Sequence, residues 1–177
     1  GSTIVVDRLS AEVGEEVSEA VEIKDFADLK NGKLEFYDEN EKKDFVDVAT
    51  VPTIILNGSK VESVTKEEIK AFSNGTVTAM KSGESKMYDT IVIEGFVSVY
   101  VKNVIASDMI ISNGLIAPGT DSAYTSLDLN PINNKNREIT YIKDGKTATF
   151  ADIKAKSVID VALSENAIKL VISDKKA

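Results

Sequence analysis

The feature that most narrows what this chain can fold into is a pattern that occurs twice. Thr53-Ile54-Ile55-Leu56-Asn57-Gly58 is followed, 87 residues later, by Thr140-Tyr141-Ile142-Lys143-Asp144-Gly145. At the same offset Thr3-Ile4-Val5-Val6-Asp7 is followed by Thr90-Ile91-Val92-Ile93-Glu94. These runs are rich in β-branched residues, and two of them end at an Asn-Gly or Asp-Gly pair. Such pairs tolerate the positive φ of a type I′ turn, so run and turn together predict β-hairpins. Beyond the turns the order is kept with a small gap. Glu67-Glu68-Ile69-Lys70 stands against Ala151-Asp152-Ile153-Lys154, and Val77 and Ala79 stand against Ile159 and Val161. The stretches between the anchors align poorly, but preserved order reads as duplication.

The expected division is a first β module over residues 1–89 and a second over 90–177, with the boundary inside 86–97. Thr90 to Ile93 opens the second copy by offset. In hairpin register it also closes the first, as Lys169 to Ile172 closes the second, so one strand could serve both. By the same logic Thr3 to Asp7 is the tail of a preceding copy, and Gly1-Ser2 is a cloning remnant. The chain is then a slice of a longer array.

Elsewhere the punctuation is that of a mainly β protein. Half of the ten glycines follow Asn or Asp. Asn31-Gly32 separates 26–30 from 33–37, and Asn74-Gly75 is expected to be a further turn. Pro52 inside 45–56 predicts an edge strand or a break between two strands. Thr65 with Glu68 three residues on forms a capping box, which predicts one short helix over 65–70. Residues 150–154 read as a one-turn helix or loop. Residues 10–23 are open between two readings: an amphipathic helix from Val13, Val17 and Val21, or an edge strand over 17–23. The segment 112–137, rich in Asn, Pro and Gly, is the long loop. The predicted fold is mainly β, as small β-barrel or sandwich modules in tandem, with one or two short helices.

Composition enters where it limits chemistry. The chain has no Cys and no His, which removes disulfides, Cys- or His-ligated zinc and any catalytic His or Cys. A net charge of −8 argues against nucleic-acid backbones and anionic membrane surfaces as partners. No apolar run approaches the roughly 20 residues of a membrane-spanning helix, so no membrane insertion is expected. Ser or Thr nucleophiles would lack a His base, and no Ser-x-x-Lys sits at a plausible helix start. With no Trp and 6% aromatics, a sugar-stacking platform is not expected either. The expectation is a protein that is not an enzyme and that needs no cofactor.

In its closing module, Tyr141-Ile142-Lys143-Asp144-Gly145-Lys146, Phe150-Ala151-Asp152-Ile153-Lys154, Val158-Ile159-Asp160-Val161-Ala162-Leu163-Ser164 and Val171-Ile172-Ser173-Asp174-Lys175-Lys176, the chain resembles the β modules of clostridial-type surface-layer proteins, which often carry S-layer homology domains. Tyr88-Asp89-Thr90-Ile91-Val92 and Leu127-Asp128-Leu129-Asn130-Pro131 fit the same pattern. The resemblance covers roughly residues 86–177 well and the first half faintly; its motifs are generic β patterning. It implies a spacer or scaffold role in a cell-wall or extracellular protein, with neighbouring modules of the same protein or lattice as partners. It carries over no catalytic residue, and no S-layer homology anchor is visible in this sequence.

Calcium is the one metal the sequence suggests. Asp38, Asn40 and Asp44 lie in an acidic loop with the alternate oxygen spacing of a calcium site. Lys42 occupies the third ligand position and Lys43 the turn-glycine position, and no Glu closes the loop, so a solvated hairpin loop is the favoured reading. Asp121, Asp128 and Asn130 in the long loop are the second candidate set. They support the alternative function, an extracellular ligand- or adhesion-binding module that uses 112–137 with calcium assistance.

Overall fold

Asn57 and Gly58 adopt φ of 50° and 88°, and Asp144 and Gly145 adopt 53° and 76°. Both pairs therefore make the left-handed turns that their residue types permit. The computed structural model describes residues 17–82, 85–113 and 122–176. Its residues are mainly β, with one α-helix and four single-turn 3-10 helices among those described. By its internal contacts the chain divides into two units, Gly1–Gly95 and Phe96–Ala177.

The first unit contains β1 (Val21–Glu22), β2 (Phe26–Lys30), β3 (Lys33–Tyr37), β4 (Lys43–Leu56), β5 (Ser59–Val61), α1 (Lys66–Lys70), β6 (Asn74–Met80) and the first part of β7 (Tyr88–Ile105). Strands β2, β3 and the first half of β4 form an antiparallel sheet. The second half of β4 belongs to another sheet, of order β1-β6-β7-β4-β5. There Thr53, Ile54, Ile55 and Leu56 pair in parallel with Thr90, Ile91, Val92 and Ile93. Between Val48 and Thr53 the register shifts, and Val51 is 89% exposed. Pro52 has no N–H to give a ladder, so it sits where the strand passes from one sheet to the other. Phe26 and Leu34 from one sheet, Ile54, Val77, Ile91 and Ile93 from the other, and Ile69 from α1 belong to one buried cluster. The helix begins as its capping box requires. Thr65 Oγ1 accepts from Glu68 N and Glu68 Oε1 accepts from Thr65 N, both at 3.1 Å.

The second unit continues β7 and adds β8 (Ile110–Asn113), β9 (Ser126–Asp128), β10 (Glu138–Lys143), β11 (Lys146–Thr147), β12 (Ser157–Leu163) and β13 (Ala167–Lys176). Residues 101–105 of β7 pair with β8, and β8 with β9, to give an antiparallel sheet. Residues 97–100 of β7 pair with β12 in a sheet of order β7-β12-β13-β10-β11. In it Thr140, Tyr141, Ile142 and Lys143 pair in parallel with Lys169, Leu170, Val171 and Ile172.

The two units thus share one plan. Each has a three-stranded antiparallel sheet and a five-stranded mixed sheet whose middle strand is the last in the unit. In both, the run before the turn lies parallel to the closing strand, with Ile54 opposite Ile91 and Tyr141 opposite Leu170. The 3-10 turn Phe150–Asp152 stands where α1 stands. There Asp152 Oδ2 accepts from Thr149 N at 2.9 Å, and Ile153 is buried as Ile69 is.

Three expectations are corrected or resolved. Of the two readings of 10–23, the described part favours the strand: Val17 bridges Met80 and Val21–Glu22 pairs with β6, while Ile23 opens a 3-10 turn and 10–16 lie outside the described residues. The valine spacing is overridden by sheet pairing. Asn74-Gly75 is no turn but the start of β6. Gly75 is required there because a Cβ would lie 1.9 Å from the Glu94 carbonyl oxygen, so close backbone approach accounts for the glycine. The loop expected over 112–137 includes β9 and the turns Ser122–Tyr124 and Pro131–Asn133. The predicted strand at 3–7 and the turns at 113–114 and 118–119 fall wholly or partly outside the described residues. No helix among the described residues is long and apolar enough to cross a membrane.

Candidate functional site

Parallel pairing of β10 with β13 sets Glu138 opposite Ala167, which brings the segment before β10 alongside the turn before β13. Glu138 N donates to the Asn166 carbonyl at 2.9 Å. The result is a groove of about 420 Å3 lined by Asn133, Asn134, Lys135, Asn136, Arg137, Glu165 and Asn166. Its lining offers amide donors and acceptors, two cations and one carboxylate. Groups of this kind hold a polar ligand by hydrogen bonds and charge. No hydroxyl or thiol is among these lining side chains.

The floor of this segment is held by a side-chain network. Asp128 Oδ1 accepts from Asn130 N at 3.0 Å, and its Oδ2 accepts from Asn133 Nδ2 at 2.9 Å. Asn130 Oδ1 caps the 3-10 turn by accepting from Ile132 N at 3.0 Å. Asn134 Nδ2 donates to the carbonyls of Asp128 and Asn130, both at 2.8 Å. Asp128 and Asn130 both belong to this network, and their side-chain oxygens accept from N–H groups of the same segment. Asp121 lies outside the described residues.

In the first unit Asp38 and Asn40 fall on the β3–β4 hairpin loop and Asp44 at the start of β4. Asp38 Oδ1 accepts from the N–H groups of Asn40 and Lys42 at 2.8 and 2.9 Å, and Asp44 Oδ1 accepts from Phe45 N at 2.8 Å. Glu41 takes φ of 60°, which closes the loop without glycine. These carboxylates are engaged by backbone. Among the described residues no three Asp or Glu side chains are grouped as metal ligands.

Two carboxylates have depressed pKa values. Burial pushes Asp28 up, but the Leu29 N–H and the cations of Lys30 and Lys66 outweigh it and hold Asp28 below the usual carboxylate range. Lys30 and Lys66 approach it to 3.4 and 3.8 Å, tying β2 to the first turn of α1. Asp89 is lowered chiefly by the Ser82 hydroxyl, against burial, with help from the Ser82 N–H and the Thr90 hydroxyl. The first arrangement ties a strand to a helix and the second ties Ser82 to β7, and neither Asp28 nor Asp89 lines the groove at 133–137 and 165–166. Tyr141, at the position matching Ile54, is raised by burial, and its hydroxyl has no hydrogen-bond partner.

In the sequence Glu165 and Asn166 carry only the signal of a turn. Their place beside 133–137 depends on which strand β10 pairs with, and a short apolar run carries no signal of its partner.

No protein-family model matches the chain, and no curated protein or solved structure is significantly similar to it.

Proposed function

We propose that the chain is a non-catalytic, two-module structural segment of a secreted or cell-surface protein, serving as spacer or lattice scaffold. The observation that carries this reading is the repeated plan with matched parallel registers, 53–56 on 90–93 and 140–143 on 169–172. Repetition of one self-contained unit is a means of setting length and spacing. The candidate carboxylates support it further, since Asp38, Asp44 and Asp128 are engaged by backbone and amide donors. Partners on this reading are neighbouring modules of the same protein or lattice. Calorimetry with and without millimolar calcium tests it. An unchanged Tm is expected, and a large upward shift would overturn the plain spacer.

The polar groove favours one second reading, an adhesion or ligand-binding module using 112–137. On that reading Arg137→Ala abolishes retention on a polar ligand array without lowering Tm.

A further inference from the structure

We propose that each unit is built to bear tension, because its incoming and outgoing strands are loaded in shear. In the second unit the chain arrives along β7 and leaves along β13, and both pair antiparallel with β12. They therefore run in the same direction on its two sides. Val97 and Leu170 flank Val161, and Val99 and Ile172 flank Ile159. Tension between the start of this β7 segment and the end of β13 draws the two strands oppositely along their axes. The ladder bonds on each side of β12 are then strained together. In a hairpin pulled from its open end they break one after another. Because each bond contributes little on its own, sharing the load decides the resistance.

The side chains reinforce the same seam. Val97, Val99, Ile159, Val161, Leu170 and Ile172 are all buried, so two apolar rows cross the three strands and would have to slide past one another. On the opposite face Ser98 Oγ donates to Asp160 Oδ1 at 2.5 Å, a side-chain clasp from β7 to β12. Lys156 N extends the pairing by donating to the Val101 carbonyl at 2.7 Å.

The first unit repeats the arrangement. There β1 lies antiparallel to β6, which in turn pairs with β7. The seven residues between β6 and β7 are too few for a parallel crossover, so β1 and β7 run in the same direction. Among the described residues the incoming side holds the pairs Val21–Val77 and Glu22–Thr76, the bridge Val17–Met80 and a hydrogen bond from Ser18 N to the Ala79 carbonyl at 2.8 Å. Ser18 adds a hydrogen bond, its Oγ accepting from Ala79 N at 2.9 Å.

A biological use for this strength rests on the spacer reading; the shear geometry does not. The test is single-molecule pulling of the full chain, whose lack of cysteine allows handles to be placed at will. One variant carries cysteines added at the two termini. The other carries Ala155→Cys and a cysteine added after Ala177, which opens the β12–β13 hairpin from its free end. Terminal pulling is expected to unfold the second unit at a force at least about twofold above hairpin pulling, since forced unfolding reports the unfolding barrier along the pulled direction. Ser98→Ala is expected to lower the terminal force and leave the hairpin force unchanged, because its bond joins β7 to β12. Equal forces in the two geometries would overturn the proposal while leaving the spacer reading to the calcium calorimetry. A Ser98→Ala effect confined to the hairpin geometry would overturn it as well.

Discussion

The Asn57 side-chain oxygen accepts a hydrogen bond from Gly95 N at 2.7 Å, across 38 residues of sequence. Asn57 N meanwhile donates to the Ile93 carbonyl at 2.8 Å. One residue therefore makes a left-handed turn and fastens that turn to the closing strand of its unit. Asn57→Gly keeps the turn and removes the acceptor, so it isolates the bond. We expect a loss of about 1–2 kcal/mol, read by denaturant unfolding, with Asn57→Asp closer to wild type.

Gly95 and Gly75 set a different kind of limit. A Cβ on Gly95 would lie 2.3 Å from the Phe72 ring, and that ring can shift. Gly95→Ala is expected to cost about 1–3 kcal/mol, as overpacking does, with partial recovery in combination with Phe72→Leu. A Cβ on Gly75 would meet backbone at 1.9 Å, and φ there is +135°. Gly75→Ala should be the worse of the two, by more than about 1 kcal/mol. Equal Tm losses in the pair would contradict this assignment.

Acid should weaken the fold through Asp28 and Asp89. Their folded pKa values lie below the ordinary carboxylate value, so the unfolded chain binds protons first as pH falls. The stability they confer is complete above about pH 4–5, beyond the unfolded pKa, and is lost as pH drops through their folded values. Asp28→Asn is expected to lower stability at pH 7 and to flatten its decline below pH 4. Chemical denaturation across that window provides the check.

At the other end of the scale stands Tyr141. Burial raises its pKa above the ordinary value, so its contribution is present below about pH 10 and is lost as pH rises above the unfolded value. Tyr141→Phe removes a buried hydroxyl that has no partner. It should stabilise the protein at pH 7 by up to about 1 kcal/mol and delay alkaline unfolding, measured as Tm between pH 8 and 11.

What could be read from the sequence was local. The turns at Asn57-Gly58 and Asp144-Gly145 and the Thr65–Glu68 capping box are set by residues a few positions apart, and each forms as expected. The mainly β class followed from the same cues. The break at Pro52 was also legible, because a missing N–H acts wherever a ladder would pass. Harder were decisions taken by distant partners. Asn74-Gly75 has the chemistry of a turn, yet the approach of Glu94 draws it into a strand. Val13, Val17 and Val21 keep helical spacing, yet β6 recruits Val21–Glu22 as a strand and Val17 as a bridge. The candidate groove was hidden for the same reason, since Glu165 and Asn166 reach Arg137 only through the pairing of β10 with β13.

In both five-stranded sheets the middle place is taken by the strand made last: β7 between β6 and β4, and β13 between β12 and β10. A growing chain therefore holds the flanking strands of a unit before the strand that joins them exists. Pairing across such distances is slow to form and leaves open edges while it waits. Each five-stranded sheet must accordingly wait for the whole of its unit before it can close, so its assembly proceeds in steps of one unit and a chain cut short within a unit lacks the strand that joins that sheet.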